Sequence, residues 1–223
     1  MISRRQTIRL SAPAVAALTA LGPLLARRAS ARRAPTDPFI DWETFLVELE
    51  ALTRAQHTQD WDPAAHVRSV TALLKELDVS DPTLQGFLDQ ERIRRTGFPR
   101  IHTAFDGGDY SVSVLQFRAG ESIALHNHPR MTGAILCLAG SVEVEAFTPL
   151  EGLSKDGERR MRQELHTTLQ PGDHATLTDP RGNIHALRAQ TWCELLDVFT
   201  PPYTPDRSED YRWYARSARP VEG

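Results

Sequence analysis

The stretch Gly120 to Gly140, GESIALHNHPRMTGAILCLAG, decides how the rest of the chain is read. His126 and His128 stand two residues apart, so on an extended strand both imidazoles leave the same face and can close on one ion. A third imidazole follows in Pro180-Arg181-Gly182-Asn183-Ile184-His185, where a Gly-bearing turn feeds a single His into an apolar run. Three neutral imidazoles suit a borderline divalent metal such as iron, zinc, nickel or copper.

Outward from that stretch, the sequence after Pro99 consists of short β-branched and aromatic runs broken by turns. Asp106-Gly107-Gly108-Asp109 is a hairpin signal between 101–105 and 110–117. Strands are expected near 133–138 and 142–147, the latter alternating Val142, Val144 and Ala146 with Ser141, Glu143 and Glu145. Further strands are expected at 165–169, 174–178, 185–189 and 192–199. The charged segment 149–162, with two glycines, is expected to be an exposed excursion. Eight or more short strands with no alternating helices point to a barrel or jelly roll, a mainly β fold.

Upstream, three helices are expected to cover that domain. Asp41 is an N-cap for an amphipathic helix over 42–56, and Asp62-Pro63 and Asp81-Pro82 open a second and a short third. None of them carries His, Asp or Glu clustered at ligand spacing.

A hydrophobic fraction of 40% with 25% charged residues and a net charge of -3 describes a globular chain with no general attraction to nucleic acid. Cys137 and Cys193 each sit in an apolar run and read as buried thiols, not as a disulfide scaffold. At the N-terminus, Arg4-Arg5 precedes a mildly apolar stretch from Leu10 to Ala26, then Arg27-Arg28 and Ala29-Ser30-Ala31. This is the layout of a secretory leader, and the arginine pair resembles a twin-arginine export signal in which Thr7 replaces the usual aromatic residue. Pro13 and Pro23 interrupt the apolar stretch, which is shorter than the ~20 residues of a spanning helix, so no membrane span is expected after processing. The expected organisation is a leader over 1–31, a linker over 32–38, a helical cover over 39–98 and the catalytic domain over 99–216. The expected destination is periplasmic or exported, or the cytoplasm if the leader does not function.

The spacing Gly120-x5-His126-x-His128, closing on Gly140, together with Pro180-x-Gly182-x2-His185, resembles the two signature motifs of the cupin family, double-stranded β-helix barrels whose mouth holds a metal. The Glu usual in the first motif falls here at Thr132 or Gly133, which leaves His126, His128 and His185 as the metal ligands. Neutral ligands leave the metal's charge in place and favour an anionic substrate such as a thiolate. The segments His126-Asn127-His128-Pro129-x-Met131-Thr132, Gly140-Ser141-Val142, Gly182-Asn183-Ile184-His185 and Cys193-x3-Asp197-Val198-x2-Pro201-Pro202-Tyr203 resemble the cysteamine dioxygenase and plant cysteine oxidase family over roughly Trp42 to Tyr214. The resemblance implies Fe(II) on the three His, and Asp197 and Tyr203 as pocket residues that assist substrate or oxygen. It also implies oxidation of cysteamine, an N-terminal Cys or a related small thiol by O2 to a sulfinic acid. Members often carry a cross-linkable Cys-x-Tyr where this chain has Tyr211-Arg212-Trp213-Tyr214. The chain is expected to act as a monomer. The alternatives left open are a zinc or nickel three-His cupin acting as hydrolase or isomerase, and a non-catalytic metal-binding module.

Overall fold

The computed structural model describes residues 39–93, 99–153, 159–179, 181–202 and 210–217. The expected leader and linker, and Tyr203, lie outside those residues.

Each helix begins where an Asp can accept from the free N–H groups of a first turn. Asp41 accepts from the Thr44 N–H ahead of α1 (Trp42–Thr53), Asp62 from Ala64 and Ala65 ahead of α2 (Pro63–Glu76), and Asp81 from Thr83 and Leu84 ahead of α3 (Pro82–Ile93). α1 is shorter than its apolar spacing suggested, because the chain tightens into a 3₁₀ turn over Arg54–His57.

Among the described residues nine strands follow: β1 (Arg100–Asp106), β2 (Ser111–Phe117), β3 (Ser122–Asn127), β4 (Thr132–Ala139), β5 (Val142–Leu153), β6 (Arg159–Leu169), β7 (His174–Leu177), β8 (Ile184–Ala189) and β9 (Cys193–Thr200). They form two antiparallel sheets, ordered β1-β2-β9-β4-β7 and β3-β8-β5-β6. The insertion of β9 between β2 and β4, and of β8 between β3 and β5, is the two-sheet winding of a cupin jelly roll.

Two apolar layers hold the assembly. Phe45, Leu49, Leu74 and Leu84 from the helices pack on Val112, Val114, Leu196 and Val198 of the larger sheet. Leu115, Ile135 and Leu195 on its other face meet Val142, Val144 and Leu187 of the smaller sheet. β2 and β9 are therefore buried on both faces along their whole length, polar positions such as Gln116 and Glu194 included. At one end of the sandwich, Gly140 turns the chain with φ 71, and a Cβ there would lie 1.8 Å from the Trp192 carbonyl oxygen. Among the described residues no helix is long and apolar enough to cross a membrane.

One expectation is corrected. Much of 149–162 is not an excursion, because β5 runs on to Leu153 and β6 begins at Arg159, extending the hairpin past the neighbouring strands. Beyond Phe147 that hairpin no longer has β8 beside it, so the apolar alternation that marks a strand disappears while the ladder continues.

His66 of α2 is buried against the Trp61 ring, with centroids 4.6 Å apart, and its Nε2 has no partner among the described residues. Burial holds its pKa down at about 4. The unfolded chain therefore binds a proton there at a higher pH than the folded chain does. Stability is lost as pH falls from the unfolded value of 6.5 toward 4. In His66→Gln, the loss of stability between pH 7 and pH 4.5, read from urea midpoints, should shrink by on the order of 2 kcal/mol.

Candidate metal centre

β3 and β8 pair so that His126 lies directly opposite His185. A register shift between Ile123 and His126 lets both of these face the interior, Ile123 in the apolar layer and His126 beyond it. His128 follows just after β3 ends, where the chain turns through Arg130 at φ 57. Its place is fixed by Asn183, whose Oδ1 accepts from the His128 N–H at 2.8 Å and whose Nδ2 donates to the His128 carbonyl at 2.6 Å. One side chain thus ties the second imidazole to the strand that carries the third.

The three Nε2 atoms converge, 2.9 Å apart for His126 and His128, 2.8 Å for His128 and His185, and 3.2 Å for His126 and His185. His126 Nδ1 sits 2.7 Å from the Ala124 carbonyl oxygen. A carbonyl only accepts, so Nδ1 carries the proton and Nε2 turns a bare lone pair to the centre. Burial drives the pKa of His126 down to about 4, and burial with repulsion among the three rings holds those of His128 and His185 well below the ordinary value. Near neutral pH the site is therefore three uncharged nitrogens crowded in a dry setting. The donor set fits a divalent cation, which would satisfy them together.

No carboxylate joins this group among the described residues, and the reason is visible on β4. Gly133 lies directly across from Phe199 of β9, and a Cβ on Gly133 would meet the Phe199 ring at 2.8 Å and Leu177 at 3.2 Å. The Phe199 ring in turn stacks on His128 at 4.5 Å with an interplanar angle of 23°. Phe199 occupies the space an acidic ligand from position 133 would need. A second group, Glu143, Glu145 and His166, is less buried and already internally paired, with His166 on Glu143 at 3.1 Å and Arg216 on Glu145.

Asp197 lies on β9 between Ser113 and Ile135 and lines, with His185, a cavity of about 10 Å³ between the sheets. It is buried, its Oδ1 has no partner among the described residues, and burial raises its pKa well above the usual carboxylate value. Two further residues, singled out in the sequence only as a departure from a motif, stand beside the ligands. Tyr211 and Trp213 pack edge to face at 5.4 Å, with ring centroids 5.6 and 5.2 Å from His126. The strap 210–217 that carries them is sewn to β3 and the turn after it: Arg212 N–H donates to Asn127 Oδ1, Tyr214 N–H donates to the Leu125 carbonyl, and Asp210 pairs with Arg130.

A family model described as PCO_ADO matches residues 73–222. The chain belongs to the PCO_ADO family. Within it, the chain is 27% identical over 140 residues to human 2-aminoethanethiol dioxygenase, covering 52% of each protein. It is 26% identical over 149 residues to Arabidopsis thaliana plant cysteine oxidase 1, covering 64% of this chain and 51% of that protein. The chain spans about half the length of the curated relatives it matches. The PCO_ADO match begins inside α2, so α1 stands outside it. Among solved structures, an RmlC-like cupin protein from Desulfovibrio desulfuricans aligns at TM-score 0.37 and 17% identity, covering 50% of this chain and 93% of that one.

The Gly133 and Phe199 contact can be tested without activity. Gly133→Ala should cost on the order of 1–3 kcal/mol of stability by overpacking. Adding Phe199→Leu should recover part of that cost, a coupling read by a double-mutant cycle of urea midpoints.

Proposed function

We propose that the chain is an iron-dependent thiol dioxygenase that converts a small thiol, or the Cys at a peptide N-terminus, to a sulfinic acid. The observation that carries this reading is the triangle of three Nε2 atoms, joined by no carboxylate among the described residues, in a chain of the PCO_ADO family. Three converging imidazole nitrogens would hold a borderline divalent cation such as iron.

His126, His128 and His185 would hold Fe(II), which when bound supplies thiolate coordination and activation of O2. The reaction balances without a further reductant, because the four electrons that leave sulfur are the four that O2 takes up. The rest falls to the protein. Ala124 fixes the His126 tautomer, Asn183 fixes His128, and Phe199 denies a fourth protein ligand its space. Tyr211 and Trp213 cover the rings from one side, limiting the approach of water. Asp197, which lines a cavity with His185, is proposed, with Tyr203, to orient substrate and oxygen. The names of the human and plant relatives support a thiol substrate.

Iron-loaded protein given cysteamine or a Cys-initiated peptide should yield a product heavier by two oxygen atoms in mass spectrometry. A zinc-loaded sample that hydrolyses substrate, with no oxygen consumed by the iron form, would favour the rival metal chemistry. Asp197→Asn separates stability from turnover. The raised folded pKa costs stability as pH rises above the unfolded 3.8, so the variant should be more stable than wild type at pH 7 and converge with it near pH 4. Its turnover should fall by about 100-fold or more.

The Arg4-Arg5 leader pattern supports export with cleavage near Ala31. The N-terminus of protein recovered from the periplasm should then start near Arg32, whereas intact Met1 on a cytoplasmic protein would exclude export.

A further inference from the structure

The strap has a second side, turned away from the imidazoles. Where Tyr211 and Trp213 face His126, Tyr214 and Arg216 face the outer surface of the smaller sheet, and between the strap and the extended β5–β6 hairpin lies a groove of about 400 Å³. That volume is in the range of small-molecule sites, roughly 300–1,000 Å³. Phe147, Leu150, Met161 and Tyr214 give it an apolar floor, and Leu150 is 40% exposed on a strand extension that has no counterpart in the neighbouring strands.

One rim is cationic. Arg159 and Arg160, at the start of β6, both line the groove, and neither has an ion-pair partner among the described residues. This sets them apart from nearby arginines that are already neutralised: Arg162 and Arg181 pair with Glu164, and Arg216 pairs with Glu145 while lying over the Phe147 ring at 5.6 Å. An apolar trough with two arginines on its rim that form no ion pair among the described residues is complementary to a molecule with a hydrocarbon body and an anionic head.

We propose that this groove binds an amphipathic carboxylate of medium chain length, its chain along Phe147, Leu150 and Met161 and its head on Arg159 and Arg160. The proposal needs neither a metal nor thiol turnover, so it stands or falls apart from the proposed oxygenase activity.

The test is calorimetric titration of the full metal-free chain with sodium decanoate, kept below its micellar concentration. The expected result is saturable one-to-one binding that weakens about fourfold for each methylene removed toward hexanoate. Decanol, which lacks the charge, and the Arg159→Gln, Arg160→Gln double variant should each bind about tenfold more weakly. Both arginines are exposed, so the variant should keep the wild-type melting temperature, which checks its fold. Equal affinity in the double variant or absence of saturable binding would overturn the proposal. So would binding that appears only after removal of residues 218–223, since the chain itself would then be the occupant. Tight binding of polyglutamate with none of decanoate would overturn it in favour of an acidic protein partner.

Discussion

The register of β3 against β8 is the constraint on which the site depends. It sets His126 opposite His185, and a slip of one residue would turn one of those imidazoles to the outer face. Three features hold that register. The bulge after Ile123 keeps both the apolar layer and the imidazole on the inner face; β5 pairs along β8 from Phe147 to Val142; and Asn183 clasps the backbone of His128. The apolar layer between the sheets makes the register costly to lose, since a shift would expose Ile123 and Leu187 together. The stability of the sandwich and the geometry of the nitrogen triangle are therefore one property.

The same layering accounts for the electrostatics. Buried inside two sheets, the imidazoles are held below their ordinary pKa and Asp197 above its own, each chiefly by loss of water. The three imidazole nitrogens face one another at 2.8–3.2 Å, a crowding of lone pairs that a cation would relieve. Phe199 shapes that bargain from the far side. By stacking on His128 and filling the space above Gly133, it leaves nitrogen as the only protein donor type at the centre among the described residues.

The parts of this architecture that were legible in the sequence are those written in local spacing. Alternating Val142, Val144 and Ala146, and Asp before Pro at helix starts, each encode a local geometry, and the structure carries them at those places, whereas of the two His at a period of two only His126 lies on β3 and His128 follows its end. Other features depend on contacts between distant segments. Tyr211 and Trp213 reach the imidazoles only because the strap bonds to β3 across some eighty residues, as in Arg212 to Asn127, with no periodic signal to announce it. Asn183 was visible inside its motif, yet its clasp on His128 required the fold. The outer half of the β5–β6 hairpin was obscured because strands without a covering layer lack the alternation by which strands are recognised. Tyr203 lies outside the described residues, and the sequence alone speaks for it.

The placement of the chain's own two thiols has a consequence for durability. Cys137 and Cys193 belong to the apolar layer, in register with Leu195 and Phe117, toward the end of the strands that Gly140 closes. From Thr132, beside the imidazole end of β4, Cys137 is five residues along the strand, roughly 16 Å away. Burial raises their pKa values to about 11 and about 12, so both stay protonated and poorly nucleophilic. Under the proposed function, such placement would spare the protein damage by its own chemistry, its sulfhydryls shut behind the hydrocarbon wall between the sheets.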